Sequence, residues 1–212
     1  MAVDDKKIRI IGEYDRSCLR IVLGHSSLYN RSVPHQNTRG RDLSGSVERE
    51  GMKPMPQYWL FKSEPATFSI DDLAASPGKT TCWEGVRNYQ ARNFLKSMKA
   101  GEMGFFYHSQ AEPPAIVGLV QVVKEAYPDR YAFDPQSRYF DEKSTPANPR
   151  WFMVDVRFVE KFARALSLEQ LKKIKLLQGM ELLRKGSRLS VQPVRPKEWN
   201  HIITLVHSTS RS

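Results

Sequence analysis

Cysteine is scarce in this chain of 212 residues: Cys18 and Cys82 are the only two. They form no CxxC pair and no framework of paired thiols, which argues against a disulfide scaffold and fits a reducing compartment. Histidine is thin too, with five copies and no second His, Cys or carboxylate at ligand spacing around His108. No metal and no cofactor is implied. No apolar run approaches the roughly 20 residues that a membrane helix needs. The N-terminus lacks the basic start and long apolar core of a signal peptide. The sequence shows no internal repeat. The expected setting is intracellular, away from membranes.

What the chain has in plenty is positive charge. Its formal net charge is +10 and its pI about 9.7, with 40% apolar and 10% aromatic residues. The apolar content suffices for one good core, and a basic balance of this size favours an anionic partner, nucleic acid foremost.

Two regions read differently. Residues 1–55, exemplified by HSSLYNRSVPHQNTRGRDLSGSVEREG, are rich in Ser, Arg, Asn and Gly with little apolar periodicity, and are expected to be a disordered extension. Residues 8–23 offer a short hairpin within it, and Met52 and Met55 offer alternative starts just before the folded pattern. From about residue 56 to 207 one domain is expected. YWLFK (58–62) reads as an aromatic strand. Ser69 with Asp72 forms a capping box for a helix through Leu73. Asn88 caps a helix with Ala91, Phe94, Leu95 and Met98 on one face, and Gly101 suits its left-handed end. Strands are expected over 104–109, 115–126 and 151–162. Ser167 and Gln170 cap a helix to about Leu177. A strand over 189–194 and a helix over 196–206 close the chain. This order lacks the regular alternation of a doubly wound sheet; a small, partly closed barrel with helices around it fits better.

Five stretches are candidates for function. In CWEGVRN (82–88), Arg87 precedes a capping Asn88, and an arginine at a helix N-terminus suits a phosphate. Gly85 permits a close backbone approach, Trp83 offers a stacking face, and Glu84 could accept from an exocyclic amine. The plainer reading has Trp83 plugging the barrel end and Arg87 paired with Glu84. In WLFKSEP, Lys62, Ser63 and Glu64 emerge where strand becomes loop, or form only a surface pair. GFFYHS places Phe106 and His108 on one strand face and Phe105 and Tyr107 on the other. The 25-residue loop 127–151 carries aromatics alternating with Arg138 and Lys143; it suits a nucleic-acid strand, or is a flap held by its own aromatics. LKKIK (171–175) and LLRKGSRLS (182–190) present charges to phosphates, or a solvated helix face.

YWLFKSEP, TTCWEGVRNYQARNFL, GFFYHS with GLVQVVKEAYPD, and NPRWFMVDVRFV together closely resemble the EVE domain, over about Gln57 to Leu205. Only two residues separate Pro65 from Phe68 and the start has no lysine-rich tail, which points to a bacterial-type member. The resemblance implies an α+β, PUA-like fold: a small mixed-strand pseudo-barrel flanked by helices, similar to YTH and ASCH domains. It implies a reader of modified bases, modified cytosine above all, in DNA or RNA. The base pocket would involve Trp59, Ser63, Glu64, Trp83, Glu84, Gly85, Val86, Tyr107, His108 and Ser109. Lys62, Arg87, Asn88, Arg138 and Lys143 would hold phosphate or backbone. Nucleic acid carrying modified bases is the expected partner, bound by a monomer that is not an enzyme. A cytoplasmic location is expected for a bacterial-type member, a nuclear one in a eukaryote. Two alternatives stand beside this reading. One is an ASCH-like amidohydrolase using Lys62, Ser63 and Glu64 or Glu84. The other is an adaptor that recruits a partner such as a nuclease.

Overall fold

The computed structural model describes residues 57–208. The expectations for residues 1–55, including the hairpin, Cys18 and the alternative starts, lie outside the described residues.

Six strands and four helices follow one another as β1 (Tyr58–Ser63), α1 (Ile70–Ala75), β2 (Thr80–Cys82), α2 (Tyr89–Ser97), β3 (Met103–His108), β4 (Ala115–Pro128), β5 (Phe152–Ser167), α3 (Leu168–Lys173), β6 (Val191–Val194) and α4 (Pro196–Ser208). The strands form one mixed sheet in the order β2-β5-β4-β3-β1-β6, with β1 parallel to β3 and the other pairs antiparallel. This is the α+β arrangement expected. Its bulges supply the curl: the register slips four times between β4 and β5 and once between β3 and β4. Each bulge adds twist and bends the strand. The curled sheet is not closed, since β2 and β6 remain its two edges.

Strand alternation sorts the core into two clusters. Trp59, Phe61, Phe106, Val120, Val122, Val154 and Val156 lie in one, with Trp83 and the inner faces of α1 and α2. Leu60, Phe105, Tyr107, Ile116, Leu119 and Phe162 lie in the other, under α3, α4 and the 3-10 turns Lys175–Leu177 and Glu181–Leu183. Each fully buried large side chain contributes about 1.5–3 kcal/mol.

The caps act as the sequence suggests. Ser69 and Asp72 make a complete capping box, Asn88 accepts from the Gln90 and Ala91 N–H groups, and Ser167 with Gln170 makes a second box. Three details differ. The short edge strand β2 was not expected; it has no pattern of its own and exists through pairing with β5. The helix expected to Leu177 stops at Lys173, where Ile174 turns extended. Gly101 does have positive φ, but α2 already ends at Met98, and the Gly101 N–H instead reaches the Val122 carbonyl.

Candidate functional site

The turn 83–88 is pinned from below. The Trp83 N–H donates to the Val154 carbonyl at 2.7 Å. The Trp83 ring is 8% exposed and meets Phe61 and Phe106 edge-on, with centroids at 5.1 and 5.6 Å. Phe61 and Phe106 are neighbours across β1 and β3, so two strands build the cradle. The open stacking face expected of Trp83 is therefore absent here: the ring is core. Val86 is core as well.

The loop 129–151 lies across the turn. A Cβ on Gly85 would come within 2.4 Å of the Tyr139 ring, and Gly85 has φ +75. The close approach that the glycine was expected to permit is made by the protein's own tyrosine. Asp129, fully buried, accepts from the Gly85 N–H at 3.0 Å, the Tyr131 N–H at 3.0 Å and Arg87 Nη1 at 2.8 Å. Arg87 also donates from Nε to the Tyr139 carbonyl at 2.9 Å and from Nη1 to the Val86 carbonyl. Its guanidinium lies 5.4 Å from both the Tyr139 and Trp151 ring centroids. Arg87 thus faces inward as the bolt between turn and loop, which corrects its expected role on a phosphate. It pairs with Asp129, not with Glu84.

Beyond this bolt, aromatic rings and cations continue outward. Tyr89, 49% exposed, stacks on Trp151 at 5.0 Å; Arg92 lies 4.8 Å over its ring, and Arg150 donates to its hydroxyl. Asp141 accepts from the Trp151 indole at 2.6 Å and pairs with Arg150. That indole bond first, then the Lys143 N–H and the nearby arginines, hold the Asp141 carboxyl below the ordinary carboxylate range. Arg138 stacks on Tyr139 and donates to its hydroxyl. Lys143 is exposed, and Asn88 is exposed with its side-chain oxygen spent on the cap.

The second half of the site is the corner where β1 and β3 end. Ser109 donates to the Ser63 carbonyl from both N–H (2.8 Å) and Oγ (3.1 Å). Ser63 Oγ donates to the Phe68 carbonyl, and Glu64 accepts from Gln110 at 2.7 Å. His108 Nε2 accepts from the Ile70 N–H at 3.1 Å, and its ring meets Phe106 edge-on at 5.6 Å. Burial foremost, with Lys161, pushes its pKa down against the pull of Asp71 and Asp72. Tyr107 faces the other cluster, as strand alternation dictates, so it does not share a wall with Trp83. Trp59 lies on the Trp83 side but at the far end of β1, its indole donating to Glu102 at 2.6 Å.

The hydrolase alternative finds no assembled group among the described residues. No hydrogen bond or ion pair joins Lys62, Ser63, Glu64 and Glu84 among the described residues, and Ser63 Oγ is already committed to a carbonyl. Cys82 donates to Glu84 at 3.1 Å; burial and that carboxylate push the thiol up to about 12, leaving it protonated and a poor nucleophile.

Sequence reasoning missed Asp129, Tyr139, Asp141 and Trp151 as organisers of this region. Only the run of aromatics and acids in 127–151 hinted at them. It brought together the segments around Ser63, Trp83 and His108, which converge through the row Phe61, Trp83, Phe106 and His108.

The EVE domain family model matches residues 57–205. Human thymocyte nuclear protein 1 is 43% identical over 177 residues, covering 76% of this chain and 78% of that protein. The crystal structure of the human protein in complex with 5-methylcytosine-containing DNA superposes with a TM-score of 0.67 at 44% identity, covering 70% of this chain and 96% of that one. A Pseudomonas syringae protein gives 0.67 at 49% identity, covering 70% of this chain and 98% of that one.

Proposed function

The chain belongs to the EVE domain family, and from that premise we propose that it binds nucleic acid and reads a modified base, methylated cytosine first among them. The observation that carries the reading is the convergence of three distant segments on one aromatic row. Ser63, His108 and Ser109 stand at the strand ends beside it, and Trp83, Phe61 and Phe106 are its buried members, which hold those segments together. A similar protein is known in complex with 5-methylcytosine-containing DNA. In this reading Glu84, beside Trp83, accepts from the base's exocyclic amine once it releases the Cys82 thiol. Tyr139 over Gly85 marks the side where loop 129–151 closes on the turn. Arg138, Lys143 and Asn88 are exposed on that side, alongside the acids Asp134 and Glu142. The activity is binding, not turnover.

The magnitudes bound the claim. One methyl group in an apolar pocket is worth about 1–3 kcal/mol, or roughly 10–200-fold. Extruding a base from a duplex costs a few kcal/mol more, so single strands should bind more tightly than matched duplexes.

The test is fluorescence binding of single-stranded oligonucleotides that differ at one cytosine: plain, methylated or hydroxymethylated. Trp83→Ala is a poor probe, because emptying a core position of this size costs about 3–5 kcal/mol. Glu84→Gln in the turn and Ser63→Ala at a strand end are better. A preference of roughly ten-fold or more for the methylated strand, reduced by Glu84→Gln, supports the reading. Equal binding of all three strands sinks it.

A further inference from the structure

The positive charge of the domain is not where the turn and loop are. Residues 57–160 carry 12 Lys and Arg against 13 Asp and Glu, whereas residues 161–197 carry 10 against 2. The arginines of the first region are also largely spent: Arg87 on Asp129 and Tyr139, Arg150 on Asp141 and Tyr89, Arg92 on Asn93 and the Arg150 carbonyl. The second region is the reverse. Lys172, Lys173, Lys175, Lys185 and Arg188 are exposed, and none of them makes an ion pair or side-chain hydrogen bond among the described residues. Like charges brought this close repel one another, and an unpaired set of them is a standing demand for a polyanion.

The placement is as telling as the count. Leu171, Leu177 and Met180 bury beneath this segment, with Leu182 and Leu183 half-buried beside them, on the face of the sheet opposite Trp83, which turns its charges to solvent. The chain then rounds the β6 edge. Ser187 Oγ donates to Glu181 at 2.8 Å, which closes the loop, and Gly186 at φ +80 makes its turn. Leu189 drops into the cluster that holds Trp83, and the Ser190 carbonyl accepts from the Lys62 N–H at 2.8 Å. The basic segment therefore ends beside the strand terminus that carries Ser63.

We propose that residues 172–188 are the docking surface for a nucleic-acid backbone, leading from the α3 face around the β6 edge to the strand ends beside the aromatic row. This rests on the base-reading function above and divides the labour of binding. Loop 129–151 and the turn shape the base site, while this segment supplies sequence-independent attraction through phosphates. The surface holds one exposed large apolar residue, Leu176, too little to anchor in a bilayer, and its charge runs toward the base site; both favour nucleic acid over a lipid surface.

The test uses the full chain and two charge-reversed variants, Lys172→Glu with Lys173→Glu and Lys175→Glu, and Lys185→Glu with Arg188→Glu. Each is titrated with single strands carrying plain or methylated cytosine across a salt series. Single-strand binding loses about 0.7 in the slope of log affinity against log salt per phosphate contact removed. The triple variant should lower that slope by about 2 and the double by about 1.4. Affinity at low salt should fall tenfold or more. The ratio of methylated to plain binding should stay at its wild-type value, whatever that value is. Unchanged slopes overturn the proposal, as does a loss of binding to phosphatidylserine vesicles with oligonucleotide affinity intact. A wild-type ratio of one would overturn base reading alone and leave this surface to be judged by its slopes. Circular dichroism melting checks that the exposed substitutions leave the fold intact.

Discussion

The turn with its covering loop and the basic segment 172–188 both hold many cations, yet they are opposites. In the first, Arg87 is matched by the buried Asp129 and Arg150 by Asp141. In the second, five lysines and arginines stand without acids among the described residues. A matched cation is a structural part, and its removal is felt as lost stability. An unmatched one costs the fold little and is available to a ligand. Counting positive charges along a sequence does not separate these two kinds; counting which acids lie within reach does.

The largest expected effect tests the matched side. Asp129 is 0% exposed and the Arg87 side chain 23%. Removing one partner of a buried pair leaves the other charge uncompensated, at about 3–5 kcal/mol. Arg87→Ala should therefore lower the unfolding free energy by about that much, measured by urea denaturation of the full chain. It should also release loop 129–151 to proteolysis. A loss under about 1 kcal/mol, the value typical of a surface pair, would erase the contrast between the two regions.

Next in size is Gly85→Ala. The added Cβ meets the Tyr139 ring at 2.4 Å and places a side chain at φ +75. Left-handed backbone at a non-glycine costs about 1–3 kcal/mol, and the tyrosine must also move. Combining it with Tyr139→Ala should recover the steric part and leave the backbone part, which a double-mutant cycle resolves.

Much of this fold could be read from the sequence, for local reasons. Ser69 with Asp72, Asn88, and Ser167 with Gln170 are caps whose partners lie two or three residues away, so each helix start is written in a few positions. The alternation of YWLFKS and GFFYHS fixed which residues enter which cluster, including Tyr107, whose separation from Trp83 follows from alternation alone. What escaped depended on distant partners. Strand β2 is three residues long and pairs with Arg157, Val156 and Asp155, more than 70 positions away. Arg87 looked like a phosphate ligand beside a capping Asn88 because Asp129, 42 residues on, cannot be placed near it by spacing. Trp83 looked like a stacking platform because Phe61 and Phe106 reach it only after β1 pairs with β3.

A smaller effect appears with pH. Burial, with Lys161 of β5 nearby, depresses the His108 pKa, while Asp71 and Asp72 of α1 oppose the shift. The neutral ring accepts the Ile70 N–H. A histidine with a depressed folded pKa favours the folded state above its unfolded value of about 6.5, and that contribution fades as pH falls through the folded pKa. The melting temperature should fall as pH drops from 7 toward 5. In His108→Gln, which keeps an acceptor without the titration, the fall should be shallower. Equal pH profiles would assign the trend to other groups.

The smallest expected effect is on loop 129–151 itself. Arg138 and Lys143 are exposed there, but Arg138 already stacks on Tyr139 and donates to its hydroxyl, and the loop carries as many acids as bases between 129 and 151. A phosphate approaching this surface meets Asp134 and Glu142 as well as the cations. Replacing both Arg138 and Lys143 by Ala should therefore reduce oligonucleotide affinity only about two- to threefold and shift the salt slope by less than about 1. The change should be well below that of reversing Lys185 and Arg188. If the order is inverted, the loop is the phosphate track, the charge balance of the domain is no guide to where nucleic acid lies, and the unpaired lysines of α3 are solvated charge.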